Sequence, residues 1–248
     1  DAFRPGQEEI IGNILKGKDV VAILPTGMGK SLCYQLPGYL FQKPVLIVSP
    51  LLSLMQDQVD QLKQRKEKRV VALNSFLTME QKKYALHFLQ EYRFIFVSPE
   101  MLLQPQVKAR IQEMELSLIV ADEAHCISQW GFDFRPDYLR IGEVLPESNR
   151  PPILALSATA TDSVLRDIKS YLNMDEPFQY MHTVNRENIH LVKKAFMNRE
   201  EKIEWIIEHV KNTAGPGIIY TQSRAKAEAI SLQLIQQNVA AAAYHAGK

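Results

Sequence analysis

Short apolar runs separated by helical patterns constrain the fold of this chain more than any other feature. Before residue 173 these runs read "DVVAIL", "PVLIVS", "RVVAL", "RFIFVS", "LSLIVA" and "PILALS". Apolar runs of this length without polar alternation are typical of strands that are buried on both faces. The sequence therefore predicts an α/β fold in which helices cover a parallel sheet and ligands bind at the carboxyl ends of the strands.

The pattern changes near Thr183, where "QYMHTVNRENIHLVKK" is polar and shows no strong helical periodicity. We place a domain boundary there, with residues 1–183 as the first domain and residues 184–248 as the start of a second. The sequence of residues 184–248 predicts strands at Ile189–Ala195, "GIIYT" and "AAAAYH". It also predicts helices at about 200–211 and 224–237. We therefore expect an incomplete second domain of the same α/β type.

Charge and cysteine content exclude several classes of protein. The net charge of +1 gives no overall positive field, so binding of nucleic acid would depend on a local surface. Cys33 and Cys126 lack C-x-x-C spacing, which argues against a zinc site or a disulfide framework. No apolar run approaches the roughly 20 residues that cross a bilayer, and no signal peptide is present. These features predict a soluble, intracellular protein without a membrane partner.

The stretch "LPTGMGKS", which starts at Leu24, joins a predicted strand to a predicted helix. Gly27 and Gly29 allow backbone N–H groups to face phosphate oxygens, Lys30 adds positive charge, and Ser31 can place its hydroxyl on Mg²⁺. Leu24 stands where the signature G-x-x-x-x-G-K-[ST] has a glycine, so a plain strand-to-helix turn is the alternative. The predicted phosphate-binding residues are Thr26, Gly27, Met28, Gly29, Lys30 and Ser31.

An acidic pair follows the apolar run in "LSLIVADEAH". A nucleoside triphosphatase needs one acidic residue to hold Mg²⁺ and another to orient the attacking water. Asp122 is predicted to hold Mg²⁺ and Glu123 to polarise the water, which makes Lys30, Asp122 and Glu123 the candidate catalytic residues. A solvated helix cap is the alternative for this pair.

Eight blocks in a fixed order resemble the motifs of superfamily-two helicases, and specifically those of the RecQ family of DNA helicases. The blocks cover nearly the whole chain and include the phosphate loop, where this family commonly has an apolar residue at the position of Leu24. They are "FRPGQ", "PTGMGKS", "VSPLLSLMQDQ", "VSPE", "DEAHCISQWG", "LSATA", "IIYTQSR" and "YHAG".

The resemblance implies two RecA-like domains, with residues 1–183 as the helicase ATP-binding domain and residues 184–248 as a truncated second domain. It implies an ATP-dependent DNA helicase that moves 3′ to 5′ in DNA repair or recombination. ATP and Mg²⁺ would be its cofactors. Its partners would be single-stranded DNA, duplex DNA with a single-stranded tail and DNA-repair proteins, in the nucleoid if the source is bacterial.

The resemblance also assigns residues to adenine recognition and to coupling. Gln7, with Arg4 nearby, would recognise adenine through two hydrogen bonds from its amide; an ordinary helix start is the alternative. Ser157 and Thr159 would couple the ATP state to domain movement. His125 would act through contact with the second domain, or serve as a structural histidine.

The expected DNA contacts include an aromatic-rich loop, "CISQWGFDFRPDY". Trp130 and Phe134 would stack on bases beside Arg135, whereas Phe132 replaces the histidine more usual in the family; a place in the core is the alternative. Contacts with the DNA backbone are expected from further residues that could instead be helix starts. These are Ser49, Pro50, Ser98, Gln222, Ser223 and Arg224.

The family's arginine-bearing motif follows "YHAG" and completes the ATP site, so we expect this chain to be a fragment that alone hydrolyses ATP poorly or not at all. Two rival functions stay open: an ATP-dependent RNA helicase, and a non-catalytic module that binds nucleotide or DNA. "FRPGQ" and "CISQWG" argue against the RNA helicase.

Overall fold

The computed structural model describes residues 2–129, 134–145, 150–182, 189–245 and 247. The chain divides into two compact units, residues 1–186 and residues 187–248. No helix in the described part of the chain is long and apolar enough to cross a membrane.

The first unit is built on a sheet whose described strands all pair in parallel. The sheet has seven strands within the described residues, in the order β3-β4-β2-β5-β6-β1-β7. Their bounds are β1 Val20–Ile23, β2 Val45–Val48, β3 Val70–Leu73, β4 Phe94–Val97, β5 Leu118–Ala121, β6 Ile153–Ser157 and β7 Phe178–Met181.

Helices connect these strands and continue into the second unit. In the first unit they are α1 Gln7–Leu15, α2 Leu32–Leu40, α3 Leu52–Gln64, α4 Met79–His87, α5 Pro99–Leu102, α6 Pro105–Gln112, α7 Pro136–Leu139 and α8 Asp162–Tyr171. Short 3₁₀ turns span Leu89–Glu91, Ala124–Ile127 and Arg140–Glu143. The second unit contains α9 Arg199–Asn212 and α10 Arg224–Gln236.

The core lies on both faces of the sheet. Along β1, Val21 and Ile23 pack into one hydrophobic cluster, whereas Val20 and Ala22 pack into the other. Successive side chains of a strand point to opposite faces, so a strand with apolar residues on both faces is covered by helices on both sides. The predicted α/β fold with a parallel sheet is therefore confirmed for the first unit.

One strand of the sheet has no counterpart among the predicted runs. β7 pairs with β1 at the edge of the sheet, and its residues alternate between partly buried and exposed. Most of this half-exposed strand lies in the polar stretch at the predicted end of the first domain. α2 begins at Leu32, and Pro37 lies inside it.

The three strands predicted for the second unit are absent from residues 189–245, the part of it that contains those predicted positions. Among residues 189–245 the structure has α9 and α10 and no strand. The apolar residues of the expected strands are largely exposed, with Leu191 at 90%, Ile218 at 79% and Tyr220 at 91%. A parallel strand forms only when a neighbour bonds its backbone, and no such neighbour is present within these residues. The two helices agree with prediction.

Candidate active site

The topology of the sheet brings the predicted site residues together at the carboxyl ends of the strands. β2, β5, β6 and β1 are consecutive in the sheet, and all run in the same direction. β2 leads into Ser49, β5 leads into Asp122, β6 ends at Ser157, and β1 leads into the glycine turn. Residues that are far apart in sequence therefore meet in one place.

The glycine turn between β1 and α2 has a backbone that requires glycine. Gly27 has φ 87° and Gly29 has φ 75°, both in the left-handed region. A Cβ added to Gly29 would lie 2.6 Å from Gln7 Nε2. Leu24 is completely buried, and its N–H donates to the Ser157 carbonyl over 2.9 Å. Leu24 therefore belongs to the core, and the two glycines form the turn.

An ion pair joins the glycine turn to the acidic pair. Lys30 Nζ lies 3.0 Å from Glu123 Oε1, with the side chains 17% and 18% exposed. Glu123 has φ 51° and ψ 46°, a left-handed conformation that an L-residue adopts at a cost of order 1 kcal/mol or more. The strained backbone thus places this carboxylate beside Lys30, directly after β5.

Asp122 is held by its neighbours but incompletely compensated in charge. Its N–H donates to the Val48 carbonyl over 2.9 Å, and its Oδ1 accepts the N–H of Glu123 over 3.1 Å. Ser49 Oγ lies 3.5 Å from Asp122 Oδ2. Burial, with the nearby charge of Glu123, raises the pKa of Asp122 to about 6, although Lys30 opposes this shift.

The oxygen atoms around Asp122 suit a Mg²⁺ ion. A divalent cation would compensate the negative charge that burial and the neighbouring Glu123 make unfavourable at Asp122. Ser31 precedes α2 without capping it through its side chain. No group of three or more His, Cys, Asp and Glu residues within the described ranges could hold a metal. A metal here would therefore also need water and phosphate oxygens, which is usual for Mg²⁺ in nucleotide sites.

His125, Ser157 and Thr159 form a hydrogen-bond chain next to Glu123. Ser157 Oγ donates to the Thr159 carbonyl over 2.7 Å and lies 3.0 Å from His125 Nδ1. A hydroxyl has a single proton, so the histidine donates from Nδ1 to Ser157 Oγ. His125 Nδ1 also lies 3.4 Å from Glu123 Oε2. All three predicted coupling residues thus lie at the acidic pair.

Gln7 and Arg4 brace the glycine turn. Gln7 is 3% exposed, and its Nε2 donates to the carbonyls of Met28 and Gly29 over 3.1 Å each. Its Oε1 accepts the N–H of Arg4 over 2.9 Å, and the Arg4 guanidinium donates to the Gly27 carbonyl. Both ends of the Gln7 amide are therefore engaged within the protein.

The predicted DNA contacts of the first unit that the structure describes are buried or partly buried. Ser49 and Pro50 are buried, and Ser98 caps α5 by accepting the N–H of Met101 over 3.3 Å. The hydroxyl of Ser98 thus has the alternative role of a helix cap. Phe134 and Arg135 are partly buried, and Trp130 and Phe132 lie outside the described residues.

The remaining predicted DNA contacts lie in the second unit. Gln222, Ser223 and Arg224 form an exposed helix start. Ser223 caps α10 by accepting the N–H of Lys226 over 3.3 Å, and Gln222 Oε1 accepts from Lys226 Nζ over 3.0 Å.

Tyr138 is the site residue that sequence reasoning missed. It is completely buried on α7, and its hydroxyl donates to the carbonyls of Val48, over 2.9 Å, and Asp122. Its partners are backbone atoms, which leave no mark in the sequence. The nearest signal in the sequence is Pro136, which indicates a helix start close behind the acidic pair but does not reveal the partners of Tyr138.

Residues 4–168 match the family described as DEAD/DEAH box helicase. The chain is 46% identical over 246 residues to the probable ATP-dependent DNA helicase RecS of Bacillus subtilis (strain 168). The match covers 99% of this chain and 50% of that protein. It is also 39% identical to the ATP-dependent DNA helicase RecQ of Haemophilus influenzae, over 99% of this chain and 40% of that protein. The chain thus spans half or less of the length of these relatives.

Among solved structures, the crystal structure of the DUF1998 helicase MrfA has a similar fold. The TM-score is 0.70 at 18% sequence identity, over 96% of this chain and 39% of that one.

Proposed function

We propose that this chain, which belongs to the DEAD/DEAH box helicase family, is the ATP-binding part of a RecQ-type DNA helicase. The resemblance to RecQ helicases that the motifs predicted is confirmed by the relatives named RecS and RecQ. In this proposal residues 1–183 are the ATP-binding domain and residues 184–248 belong to a second RecA-like domain. The whole protein hydrolyses ATP to unwind DNA. It acts inside the cell, where the DNA is located.

The observation that carries the proposal is the meeting of Lys30, Asp122 and Glu123 at the carboxyl edge of the sheet. Lys30 Nζ and Glu123 Oε1 are 3.0 Å apart, although 92 residues separate them in the sequence. A phosphate-binding cation, a buried carboxylate and a second carboxylate in one place are the groups that hydrolysis of a nucleoside triphosphate needs.

Each of these residues has a defined part in the reaction. The backbone N–H groups of residues 27–31 and the Lys30 ammonium bind the phosphates, since the turn precedes the positive end of α2. Ser31 and Asp122 would hold Mg²⁺, which supplies charge neutralisation of the phosphates. Glu123, once separated from Lys30, orients the attacking water and accepts its proton. Gln7 reads adenine with Arg4 beside it, by exchanging its bonds to the turn for bonds to the base.

DNA contacts residues at the carboxyl ends of the strands and in the aromatic-rich segment. The backbone around Ser49, Pro50 and Ser98 meets DNA phosphates, while Trp130 and Phe134 stack on bases without regard to sequence. Arg135, Gln222, Ser223 and Arg224 add phosphate contacts. His125, Ser157 and Thr159 relay the state of the ATP site to the second domain.

The test is a strand-displacement assay with the whole protein. Substrates are a DNA duplex and an RNA duplex of the same sequence, each with a 3′ single-stranded tail or a 5′ tail. We expect ATP-dependent unwinding of the DNA duplex with a 3′ tail, and none with Lys30→Ala. Preferred unwinding of RNA would replace the proposal with an RNA helicase, and DNA binding without ATP-dependent unwinding would replace it with a binding module.

A further inference from the structure

Tyr138 connects two strand ends at the candidate active site. The side chain is completely buried, and its hydroxyl lies within hydrogen-bond distance of the carbonyls of Val48, at the end of β2, and Asp122, after β5. A tyrosine hydroxyl has one proton, so it shares that proton between the two acceptors. The carbonyl of Val48 has a second donor, the N–H of Asp122, over 2.9 Å.

The segment that carries Tyr138 is itself anchored to the same two strand ends. The Arg135 N–H donates to the Cys126 carbonyl over 3.0 Å, and its guanidinium donates to the Pro50 carbonyl over 2.9 Å. The N–H of Tyr138 donates to the Arg135 carbonyl over 2.9 Å. The backbone from residue 135 to 138 is therefore tied to the turn after β2 and to the turn after β5.

We propose that Tyr138 is a positioning residue, whose hydroxyl fixes the backbone at Asp122 and thereby orients the carboxylate for the Mg²⁺ ion that Asp122 and Ser31 would hold. This inference rests on the proposed function, because the direction of the carboxylate matters only if it holds the metal. Groups that orient a ligand from behind typically change metal affinity by about 10- to 100-fold when they are removed. The hydroxyl acts on the reaction only through Asp122.

The protonation state of Tyr138 is suited to this task. Burial, together with the charge of Asp122, raises the pKa of Tyr138 well above its ordinary value. The phenol is therefore protonated at neutral pH and can donate the hydrogen bonds that the geometry shows.

The alternative role for Tyr138 is core packing, which a phenylalanine would also perform. Tyr138→Phe therefore isolates the hydroxyl. Tyr92→Phe is the matched control, because Tyr92 packs against the same core but lies far from the candidate site. It precedes β4, at the amino ends of the strands. Circular dichroism checks that each variant is folded.

Two binding measurements separate positioning from packing. The first is the affinity for a fluorescent ATP analogue in EDTA, without a divalent metal. The second is the Mg²⁺ concentration that gives half of the metal-dependent gain in that affinity, with Mn²⁺ binding by electron paramagnetic resonance as a direct metal readout. We expect Tyr138→Phe to raise the half-saturating Mg²⁺ concentration about tenfold or more and to leave metal-free affinity unchanged. Tyr92→Phe should match the wild type in both.

The outcomes decide the two proposals separately. An unchanged Mg²⁺ requirement in Tyr138→Phe overturns the positioning role. Equal loss of affinity with and without metal, or loss of the fold, assigns the hydroxyl to general stability and likewise overturns it. A wild-type protein that binds the ATP analogue with no dependence on Mg²⁺ contradicts the proposed function itself.

Discussion

The ammonium of Lys30 lies 3.0 Å from Oε1 of Glu123, and both side chains are largely buried. Each residue is proposed to act on ATP, yet here each compensates the charge of the other. Bound phosphates would compete with the carboxylate for the lysine. Nucleotide must therefore break this ion pair before its phosphates can bind Lys30. The effect of removing the ion pair on nucleotide affinity can be measured.

Glu123→Gln should strengthen nucleotide binding. Without the carboxylate, the Lys30 ammonium is available to phosphates from the start. Because the ion pair is partly exposed, its removal should raise the nucleotide affinity only modestly, by about fivefold or ~1 kcal/mol. Titration with a fluorescent ATP analogue measures it, with Lys30→Ala as the variant that should bind weakly. Weaker binding by Glu123→Gln would show that the ion pair does not compete with phosphate.

Asp122→Asn should remove a pH dependence of stability. The pKa of Asp122 is raised from 3.8 to about 6 in the folded protein, so the folded state binds a proton more tightly than the unfolded chain does. The free energy of unfolding therefore falls as the pH rises through this window, by about 2 to 3 kcal/mol for this group. At pH 7 the Asn variant should be the more stable protein.

Urea denaturation of wild type and Asp122→Asn between pH 4 and pH 7 measures this effect. Other carboxyl groups titrate in the same range, so the difference between the two proteins isolates Asp122. Parallel stability curves would contradict the assignment.

Gly29→Ala should weaken both the fold and nucleotide binding. Gly29 has φ 75°, and an added Cβ would lie 2.6 Å from Gln7 Nε2. The left-handed backbone costs an alanine about 1 to 2 kcal/mol, and displacement of Gln7 loosens the turn. Gly12→Ala is the control, because that helical position has open space and should gain about 0.5 to 1 kcal/mol. Thermal melts measure the stability, and titration with the ATP analogue measures the binding. Equal stability and equal affinity in the two variants would contradict the prediction.

Gln7→Ala should reduce the preference for ATP over GTP. The amide of Gln7 now bonds the carbonyls of Met28 and Gly29 and the N–H of Arg4, so it already points at the turn. Removal of the amide deletes the group proposed to read adenine. Competition binding with ATP and GTP gives the ratio, and an unchanged ratio alongside weaker binding of both would assign Gln7 to bracing alone.

The strands that the sequence predicted correctly are those with continuous apolar runs, such as β2 and β4, since burial on both faces leaves a clear signature. β7 was missed because its side chains are half exposed. The strand expected at "GIIYT" is absent from the described residues for a different reason. Its sequence favours a strand, but the backbone has no neighbour with which to pair.

The site was predictable where chemistry resides in side chains at the ends of strands. Lys30 and Glu123 could be expected to meet, because parallel strands deliver their carboxyl ends to one edge. The role of Tyr138 could not be predicted, because it contacts backbone carbonyls. The burial of Leu24 likewise depends on packing, which a comparison with a consensus motif does not contain.

Hydrolysis of ATP by the whole protein, in wild type and Glu123→Gln, with and without single-stranded DNA, tests the central claim most directly. We expect DNA to stimulate the wild type, and Glu123→Gln to lose about 100-fold or more of the rate while it still binds nucleotide. Unchanged hydrolysis in Glu123→Gln, with stimulation by DNA intact, would contradict the account.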